Sequence, residues 1–315
     1  MDEKIICRVL TGPTASGKSD IAMRLAERNG WEILCMDSMQ IYRRMDIGTA
    51  KPTPEDRKRV PHHLIDLCEP DEPYSVSAYA EEAEKTILSL HSAGKEFLFT
   101  GGTGLYLEAL MKPMGMGTVP ANEELRAMLH ELADRPDGRK LLDERLRKSD
   151  PDTADRLPLN DIRRRIRAIE VSEMTGIPFS KQPEIRRKSP FLWRAVCIAP
   201  PRDVLYERIN SRVSRMIEAG LSGEVAALLA EGVPENAQSM QAIGYKEMIP
   251  YLRGEYMLET AADLIRKGTR HYAKRQMTFF KRLEELRYTD PFSEGADERI
   301  ESILKGNSEH EPEQQ

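Results

Sequence analysis

The chain has 315 residues, of which 40% are hydrophobic and 31% are charged, and its net charge is −5. This composition supplies enough apolar sequence for a core and excludes a disordered chain, and no apolar run approaches the roughly 18 residues of a membrane span. Residues 294–315 hold seven acidic and two basic residues, so they account for the whole net charge.

The predicted elements begin with a short buried strand over residues 5–10. A glycine-rich turn follows, and apolar residues at helical spacing predict a helix that ends near Gly30. Residues 31–36 predict a second strand, which makes a βαβ unit and therefore a parallel sheet. A second glycine-rich turn, at residues 101–104, leads into another helix. Between the second strand and this turn we expect an ordered loop over residues 46–74, a helix over 76–93 and a strand over 96–100.

The middle of the chain has a different composition. Residues 114–190 are highly charged and poor in strand signals, which predicts a helical insertion, and residues 191–199 restore a strand. We therefore predict an α/β fold, with a P-loop-type parallel sheet flanked by helices. The core is expected to comprise residues 1–113 and 191–290. Residues 291–315 are expected to form an acidic, disordered tail.

Neither a secretion signal nor a zinc site is predicted. Residues 1–8 lack the apolar segment of a signal peptide. The four cysteines lie far apart, and because no two form a CxxC pair they lack the spacing of common zinc sites. Three of them lie in strand-like apolar runs, where small buried thiols are common, so we expect a reducing, cytoplasmic compartment. The four are Cys7, Cys35, Cys68 and Cys197.

The first glycine-rich turn matches the phosphate-binding pattern G-x-x-x-x-G-K-[ST] in full, between a strand and a helix. It consists of Gly12, Pro13, Thr14, Ala15, Ser16, Gly17, Lys18 and Ser19. Its glycines let backbone N–H groups curl around phosphate oxygens at the positive end of the helix dipole. Lys18 is expected to neutralise a terminal phosphate, and Ser19 is expected to ligate Mg²⁺. The pattern predicts that a di- or triphosphate binds and leaves the compound open.

An acidic residue is expected beside this loop. Most P-loop NTPases carry a Mg²⁺-binding aspartate at the end of another core strand. The strand at 96–100 ends in Thr-Gly-Gly instead, which disfavours an ordinary ATPase. Asp37 follows the second strand, in the crevice where ligands bind, and is expected either to bind metal or to act as a general base toward an acceptor. The alternative is an aspartate that only caps the next helix.

Three stretches carry clustered basic residues. Residues 160–169 predict a helix with three isoleucines on one face and four arginines on the remainder, which either grip phosphates or form a solvated surface. Residues 264–282 hold seven basic residues and no acid, among aromatic residues that suit RNA binding, although Phe279 and Phe280 can equally belong to the core. A helix after Pro200 carries three arginines on one face, as a second phosphate clamp or neutralised by Glu207 and Glu218. The isoleucines are Ile162, Ile166 and Ile169, and the arginines of the last helix are Arg208, Arg212 and Arg215.

Eight stretches, taken in order along the chain, form a specific pattern. They are GPTASGKS at 12–19, DSMQIY at 37–42, DIGTAKP at 46–52, PHHLID at 61–66, GGTGLY at 101–106, NDIRRRIR at 160–167, QAIGYKE at 241–247 and TRHYAKRQ at 269–276. The set resembles the tRNA dimethylallyltransferase family in its bacterial form. The resemblance implies transfer of a dimethylallyl group from dimethylallyl diphosphate to the exocyclic amine of the adenine 3′ to the anticodon in tRNA, giving isopentenyladenosine. The P-loop would then hold the prenyl diphosphate, so no ATPase-type acid is required.

The resemblance also implies roles for individual residues. Asp37 would be the general base toward the target amine, Thr14 would hydrogen-bond the departing diphosphate oxygen, and Arg212 would stabilise the charge that builds there. Mg²⁺ would be the cofactor. The anticodon stem-loop would meet positions in the core and in the insertion, with the target base flipped out of its stack. These positions are Asp37, Ser38, Met39, Gln40, Thr103, Arg126, Asp161, Ile162, Arg163, Arg164 and Arg165.

Three other functions stand as alternatives. A P-loop kinase of small molecules would use Asp37 to orient an acceptor hydroxyl and would turn over ATP without RNA. An isopentenyltransferase acting on free adenine nucleotide is disfavoured by the basic stretches, which suit a macromolecular acceptor. A non-enzymatic RNA-binding module is disfavoured because Lys18, Ser19 and Asp37 occur together. We expect a monomer, because no exposed heptad pattern is evident.

Overall fold

The chain divides into two units, one of which is an insertion in the other. The computed structural model describes residues 4–112, 119, 121–182 and 189–307. The first unit comprises Met1–Met111 and Ser189–Gln315, and the second comprises Lys112–Lys188. The boundary expected between residues 113 and 114 lies outside the described residues. In the part of the chain that is described, no helix is long and apolar enough to cross a membrane.

A six-stranded sheet lies at the centre of the first unit. Its strands are β1 (Ile6–Thr11), β2 (Glu32–Cys35), β3 (His62–His63), β4 (Phe97–Gly101), β5 (Leu192–Ile198) and β6 (Leu286–Thr289). They lie in the order β3-β2-β4-β1-β5-β6, and all neighbouring strands are parallel. The predicted α/β fold with a parallel sheet is confirmed. The carboxyl ends of β1, β2 and β4 therefore meet at one edge, where ligands bind in sheets of this kind.

The helices before the insertion are α1 (Lys18–Asn29), α2 (Pro54–Arg59), α3 (Val76–Ser92) and α4 (Gly104–Met111). Helix α2 and strand β3 lie within residues 46–74, which the sequence pattern predicts as a loop. Helix α2 begins at a capping box, in which Thr53 and Asp56 each accept a backbone N–H from the other, and Pro54 occupies its first turn. Because α2 buries no residue, apolar periodicity does not reveal it.

The helices of the second unit are α5 (Glu123–Ala133), α6 (Gly138–Ser149), α7 (Pro151–Arg156) and α8 (Ile162–Thr175). They share one small core, to which α6 contributes Leu142 and Leu146. Helix α8 faces this core as its spacing predicts, because Ile166 and Ile169 are buried and Ile162 is partly buried against them. The described residues of this unit hold no strand, so it is built from packed helices alone.

The remaining helices are α9 (Arg202–Glu218), α10 (Leu221–Ala230), α11 (Tyr245–Leu252), α12 (Leu258–Phe280) and α13 (Ala296–Lys305). One face of the sheet is covered by α3, α4 and the end of α12, which contribute Tyr79, Leu107 and Phe280 to the core. The other face is covered by α1 and α13, which contribute Leu25 and Ile300. Helices on both faces explain why the strands β1, β2 and β4 are mostly buried.

The prediction of a disordered tail is wrong for helix α13. Ile300 and Leu304 of this helix are fully buried against the sheet. Of its acidic residues Glu298 is exposed, whereas Asp297 and Glu301 form ion pairs of 2.8 Å with Arg24 and Arg28 of α1. The segment is therefore an amphipathic helix whose charged face dominates its composition. Residues 308–315 of the predicted tail lie outside the described residues.

Candidate active site

The predicted phosphate loop, Gly12–Ser19, joins the end of β1 to the start of α1. Its backbone requires glycine at two points, because Gly12 and Gly17 have φ angles of 153° and 95°. A Cβ atom on Gly12 would also lie 2.6 Å from the carbonyl oxygen of Ile198, at the end of β5. The loop thus brings the N-terminus of α1, the positive end of the helix dipole, to the edge where the strands end.

Two basic side chains donate hydrogen bonds to backbone carbonyl groups of this loop. Lys18 Nζ donates to the carbonyl oxygen of Pro13 at 3.3 Å, and Arg208 Nε donates to that of Ala15 at 2.8 Å. Burial and the positive charge of Arg212 lower the pKa of Lys18 to about 8, although nearby acidic groups oppose the shift. A bound anion would stabilise the charged ammonium, so the site is suited to negative charge.

A cavity of about 570 Å³ opens beside this loop. Seven basic side chains line it, against two acidic ones. Three of the basic side chains form ion pairs with carboxylates, whereas four have no ion-pair partner among the described residues, so Glu207 and Glu218 do not neutralise the arginine row of α9 there. The four are Lys18, Arg208, Arg212 and Arg215. This charge and size suit a diphosphate with a short attached chain.

Asp37 follows β2 in a turn that the second glycine-rich turn holds in place. Its Oδ1 accepts from the backbone N–H of Met39 at 2.9 Å, and the N–H of Ser38 donates to Thr103 Oγ1 at 2.9 Å. The interpretation of Asp37 as a helix cap is wrong, because the next helix begins only at Pro54. The charge of Asp37 acts to raise the pKa of several neighbours, among them Lys18, Arg212 and Tyr272.

Gln276 of α12 joins the two glycine-rich turns, and the sequence reasoning missed it. Its Oε1 accepts from the backbone N–H of Thr14 at 2.9 Å, and its Nε2 donates to the carbonyl oxygen of Gly102 at 2.8 Å. Thr14 and Asp37 do not line the cavity. The Gln276 amide and Thr103 connect the loop that carries Thr14 to the turn that carries Asp37.

Glu224 of α10 organises a further loop of the site and was also missed. Its carboxylate accepts the backbone N–H groups of Asp46, Ile47 and Gly48 at 2.7–3.1 Å. The hydroxyl of Tyr245 donates to the same carboxylate at 2.5 Å. The loop so held carries Thr49, whose carbonyl oxygen accepts a hydrogen bond of 3.3 Å from Arg212. Glu224 thereby sets the position of a cavity-lining arginine through the backbone.

The structure brings five predicted tRNA contacts together at the ends of β2 and β4, namely Asp37, Ser38, Met39, Gln40 and Thr103. The amide of Gln40 is used internally. Its Nε2 donates to the carbonyl oxygens of Thr49 and Ala50, both at 3.1 Å, and its Oε1 accepts from Cys35 Sγ at 2.8 Å. Through its side chain, Gln40 therefore fixes the loop that carries Thr49 and Ala50. Its backbone lies beside the turn that carries Asp37.

The expected tRNA contact at Arg165 is corrected by the fold of the second unit. Arg163 and Arg164 are exposed, but the Arg165 side chain is only 1% exposed. Its guanidinium donates to Asp143 at 2.6 Å and to the carbonyl oxygen of Pro158 at 3.0 Å. Arg165 is fully engaged inside the helical core, because its position on α8 faces α6 and the loop after α7.

Two other predicted contacts in the second unit also have structural partners. Arg126 Nε donates at 2.8 Å to the carboxylate of Glu170, which is fully buried, and Arg126 hydrogen bonds help to lower the pKa of that carboxyl group against the effect of burial. Asp161 caps α8, and its side chain accepts from the backbone N–H of Arg164. Both residues belong to the second unit.

The basic stretch at 264–282 coincides with most of α12 and the turn that follows it. Phe280 is fully buried in the core, and Phe279 packs so closely on Gly104 that a Cβ there would lie 2.4 Å from its ring. The core interpretation is thus correct for these two aromatic residues. The exposed cations of the stretch are Lys267, Lys274, Arg275, Lys281 and Arg282.

Comparison with known proteins identifies the family of this chain. The IPP transferase family model matches residues 40–283. A tRNA dimethylallyltransferase of Thermotoga neapolitana is 46% identical over 88% of this chain and 89% of its own length. The crystal structure of the full-length tRNA isopentenylpyrophosphate transferase of Bacillus halodurans matches with a TM-score of 0.70 at 38% identity, over 97% of this chain and 96% of that one. A eukaryotic dimethylallyltransferase acting on tRNA matches with a TM-score of 0.77 at 26% identity, over 97% and 79%. The resemblance seen in the sequence is confirmed, and the chain belongs to the IPP transferase family of prenyltransferases.

Proposed function

We propose that this prenyltransferase moves a dimethylallyl group from dimethylallyl diphosphate to the exocyclic amine of the adenine 3′ to the anticodon in tRNA, giving isopentenyladenosine. One observation carries the proposal. A complete phosphate loop and the carboxylate of Asp37 share one charged cluster, although they follow different strands. A donor diphosphate and an acceptor amine need just such a pair of neighbouring sites.

The diphosphate lies in the loop Gly12–Ser19. Burial lowers the pKa of both Lys18 and Arg212. An anion that binds beside them therefore stabilises the charged form of each side chain. The Thr14 hydroxyl donates to the oxygen that departs with the diphosphate, and Arg212 stabilises the negative charge that builds on it. Donors placed in advance around a developing charge are usually the largest contribution to catalysis.

The adenine nitrogen attacks the first carbon of the dimethylallyl group. Its electron pair forms the new N–C bond, while the C–O bond to the diphosphate breaks and its electrons leave with the diphosphate. The amine proton passes to Asp37, which acts as the general base. This acceptor is needed because the lone pair of the amine is delocalised into the ring. The target adenine reaches Asp37 only after this adenine leaves its stack in the anticodon loop.

Mg²⁺ is the proposed cofactor, and the residues present fit a site that the substrate completes. No group of three His, Cys, Asp or Glu side chains among the described residues could hold a metal ion, but Mg²⁺ commonly takes one or two protein ligands beside phosphate oxygens and waters. The Ser19 hydroxyl is exposed on the cavity, and the Thr100 hydroxyl on the cavity wall is buried without a hydrogen-bond partner. Ser19 would hold the ion, which when bound offsets charge on the leaving diphosphate.

The anticodon stem-loop of tRNA is the proposed macromolecular partner. Exposed cations of α12 and of α8, such as Lys274, Arg163 and Arg164, supply positive charge for its phosphates on a chain of net negative charge. We further propose a monomer in the cytoplasm. The four cysteines are free and buried, which suits a reducing compartment.

The test is incubation of the protein with radiolabelled dimethylallyl diphosphate, Mg²⁺ and unmodified tRNA. We expect label in the tRNA, at the adenine beside the anticodon. Labelled ATP with tRNA is the control, and phosphate transfer to any acceptor would favour a kinase. Adenosine monophosphate in place of tRNA tests the free-nucleotide alternative, and efficient prenylation of it would contradict the proposed acceptor.

A further inference from the structure

We infer that Gln276 is a positioning residue for prenyl transfer, which sets Thr14 against Asp37 by bridging the two glycine-rich turns. The inference rests on the proposed function, because it concerns the geometry between the diphosphate side and the acceptor side of that site. It is carried by hydrogen bonds and close contacts around a single buried amide.

Gln276 is 6% exposed, and both ends of its amide are engaged. Its two partners are backbone groups that lie 262 and 174 residues away in sequence, the N–H of Thr14 and the carbonyl of Gly102. One partner belongs to the loop after β1, and the other belongs to the turn after β4. These strands are neighbours in the sheet, so the amide closes the gap between their carboxyl ends.

The bridge continues to the acceptor side through Thr103. Thr103 follows Gly102 directly, and its hydroxyl accepts the backbone N–H of Ser38, which is adjacent to Asp37. Tyr272, one helical turn before Gln276 on α12, lies beside Thr103 and Gln276, whose side chains lower the pKa of its hydroxyl against the effect of burial. One side of α12 thus contacts the residue proposed to meet the leaving oxygen and the turn that holds the proposed base.

The amide of Gln276 packs closely against Gly102. A Cβ on Gly102 would lie 2.3 Å from Gln276 Nε2, so a side chain at residue 102 would displace this amide from its hydrogen bond with the Gly102 carbonyl. The site needs one acceptor and one donor at the same reach. A glutamine supplies both, an ionised carboxylate of the same length supplies only acceptors, and a methionine supplies neither.

This chemistry gives a test that a merely structural glutamine would fail. In Gln276→Met we expect kcat to fall by about 10²-fold, because small misplacements of reacting groups cost that much. The KM values for dimethylallyl diphosphate and tRNA should change little. In Gln276→Glu the ionised carboxylate repels the Gly102 carbonyl, whereas the protonated carboxyl can donate to it and still accept from Thr14.

The activity of Gln276→Glu should therefore recover at low pH. Its kcat divided by the wild-type kcat is expected to rise by about tenfold per unit of falling pH above the pKa of the new carboxyl group. The titratable and charged groups around it are Lys18 of the phosphate loop, Asp37 beyond Thr103, and Tyr272 and Arg275 of its own helix. These groups are present in the wild type as well, so the ratio largely removes their titration.

Thr269→Val is the matched control on the same helix. Thr269 is also buried, but its hydroxyl donates only to the carbonyl of Ile265 within α12. We expect this variant to retain wild-type kcat, with melting temperatures measured for all variants. An unchanged kcat in Gln276→Met, or a Gln276→Glu ratio that stays flat with pH, would overturn the inference while the proposed function stands. Failure of the wild type to prenylate tRNA would instead contradict the proposed function, and the inference with it.

Discussion

Lys18 and Asp37 follow different strands, yet the charge of Asp37 acts directly on the pKa of Lys18. Burial and the charge of Arg212 lower the pKa of the Lys18 ammonium to about 8, and the charge of Asp37 opposes this. The ligand-free ammonium therefore begins to lose its proton just above neutral pH. A bound diphosphate adds negative charge beside Lys18, so binding raises that pKa again.

Affinity for dimethylallyl diphosphate should consequently weaken as the pH rises through about 8. Lys18 is charged below this pKa and neutral above it, so the attraction is present at pH 7 and is lost toward pH 9. Calorimetry near pH 8, in two buffers of different ionisation enthalpy, should show proton uptake on binding. Lys18→Arg is the matched variant, because its guanidinium stays charged over this range and should take up no proton. Equal proton uptake by both proteins would contradict this assignment.

Removal of the Lys18 charge should impair prenyl transfer from dimethylallyl diphosphate without impairing the binding of tRNA. We expect Lys18→Ala to lose about 10²–10³-fold in prenyl transfer, because a cation beside the leaving group is lost. Binding of tRNA should persist, since the exposed cations of α8 and α12 are untouched. Filter binding with labelled tRNA measures this directly. Lost tRNA affinity together with intact diphosphate binding would show that the assignment of Lys18 is wrong.

The arginines of α8 should fall into two classes. We expect the double variant Arg163→Ala, Arg164→Ala to flatten the salt dependence of tRNA binding by about one unit of log–log slope for each lost phosphate contact. Its stability should be unchanged, because both side chains are exposed.

Arg165→Ala should instead destabilise the second unit by about 3–5 kcal/mol, since it leaves the Asp143 carboxylate and several carbonyl groups without their partner. Urea unfolding and binding titrations in parallel would distinguish the two classes. A stable Arg165→Ala protein with a reduced salt slope would return Arg165 to the surface role that its sequence pattern predicts.

Local signals in the sequence are enough to predict the phosphate loop, Asp37 and the parallel sheet. The loop follows a strand and opens a helix, and that order fixes its place at a strand end. The burial of Arg165 could not be predicted, because helical periodicity assigns faces by hydrophobicity and an arginine counts as polar. Gln276 and Glu224 were missed for a different reason. Each acts on backbone groups far away in sequence, and only the folded chain brings the partners together.

Helix α13 offers a prediction about stability. Ile300 is fully buried against the sheet, so Ile300→Ala should reduce the free energy of unfolding by about 2–5 kcal/mol. Glu298 lies on the exposed face of the same helix, and Glu298→Ala should change it by less than about 0.5 kcal/mol. Chemical denaturation compares the two. If Ile300→Ala unfolds like the wild type, this helix adds nothing to the core.

The most direct test of the mechanism is the variant Asp37→Asn, which keeps the shape of the side chain and removes the base. Single-turnover transfer of labelled dimethylallyl to tRNA should slow by roughly 10²–10⁴-fold, the usual contribution of a positioned general base. Calorimetry should show that Mg²⁺-dependent binding of dimethylallyl diphosphate is unchanged, because Asp37 acts on the acceptor amine. Loss of that binding in Asp37→Asn would identify Asp37 as a metal ligand and would contradict the mechanism.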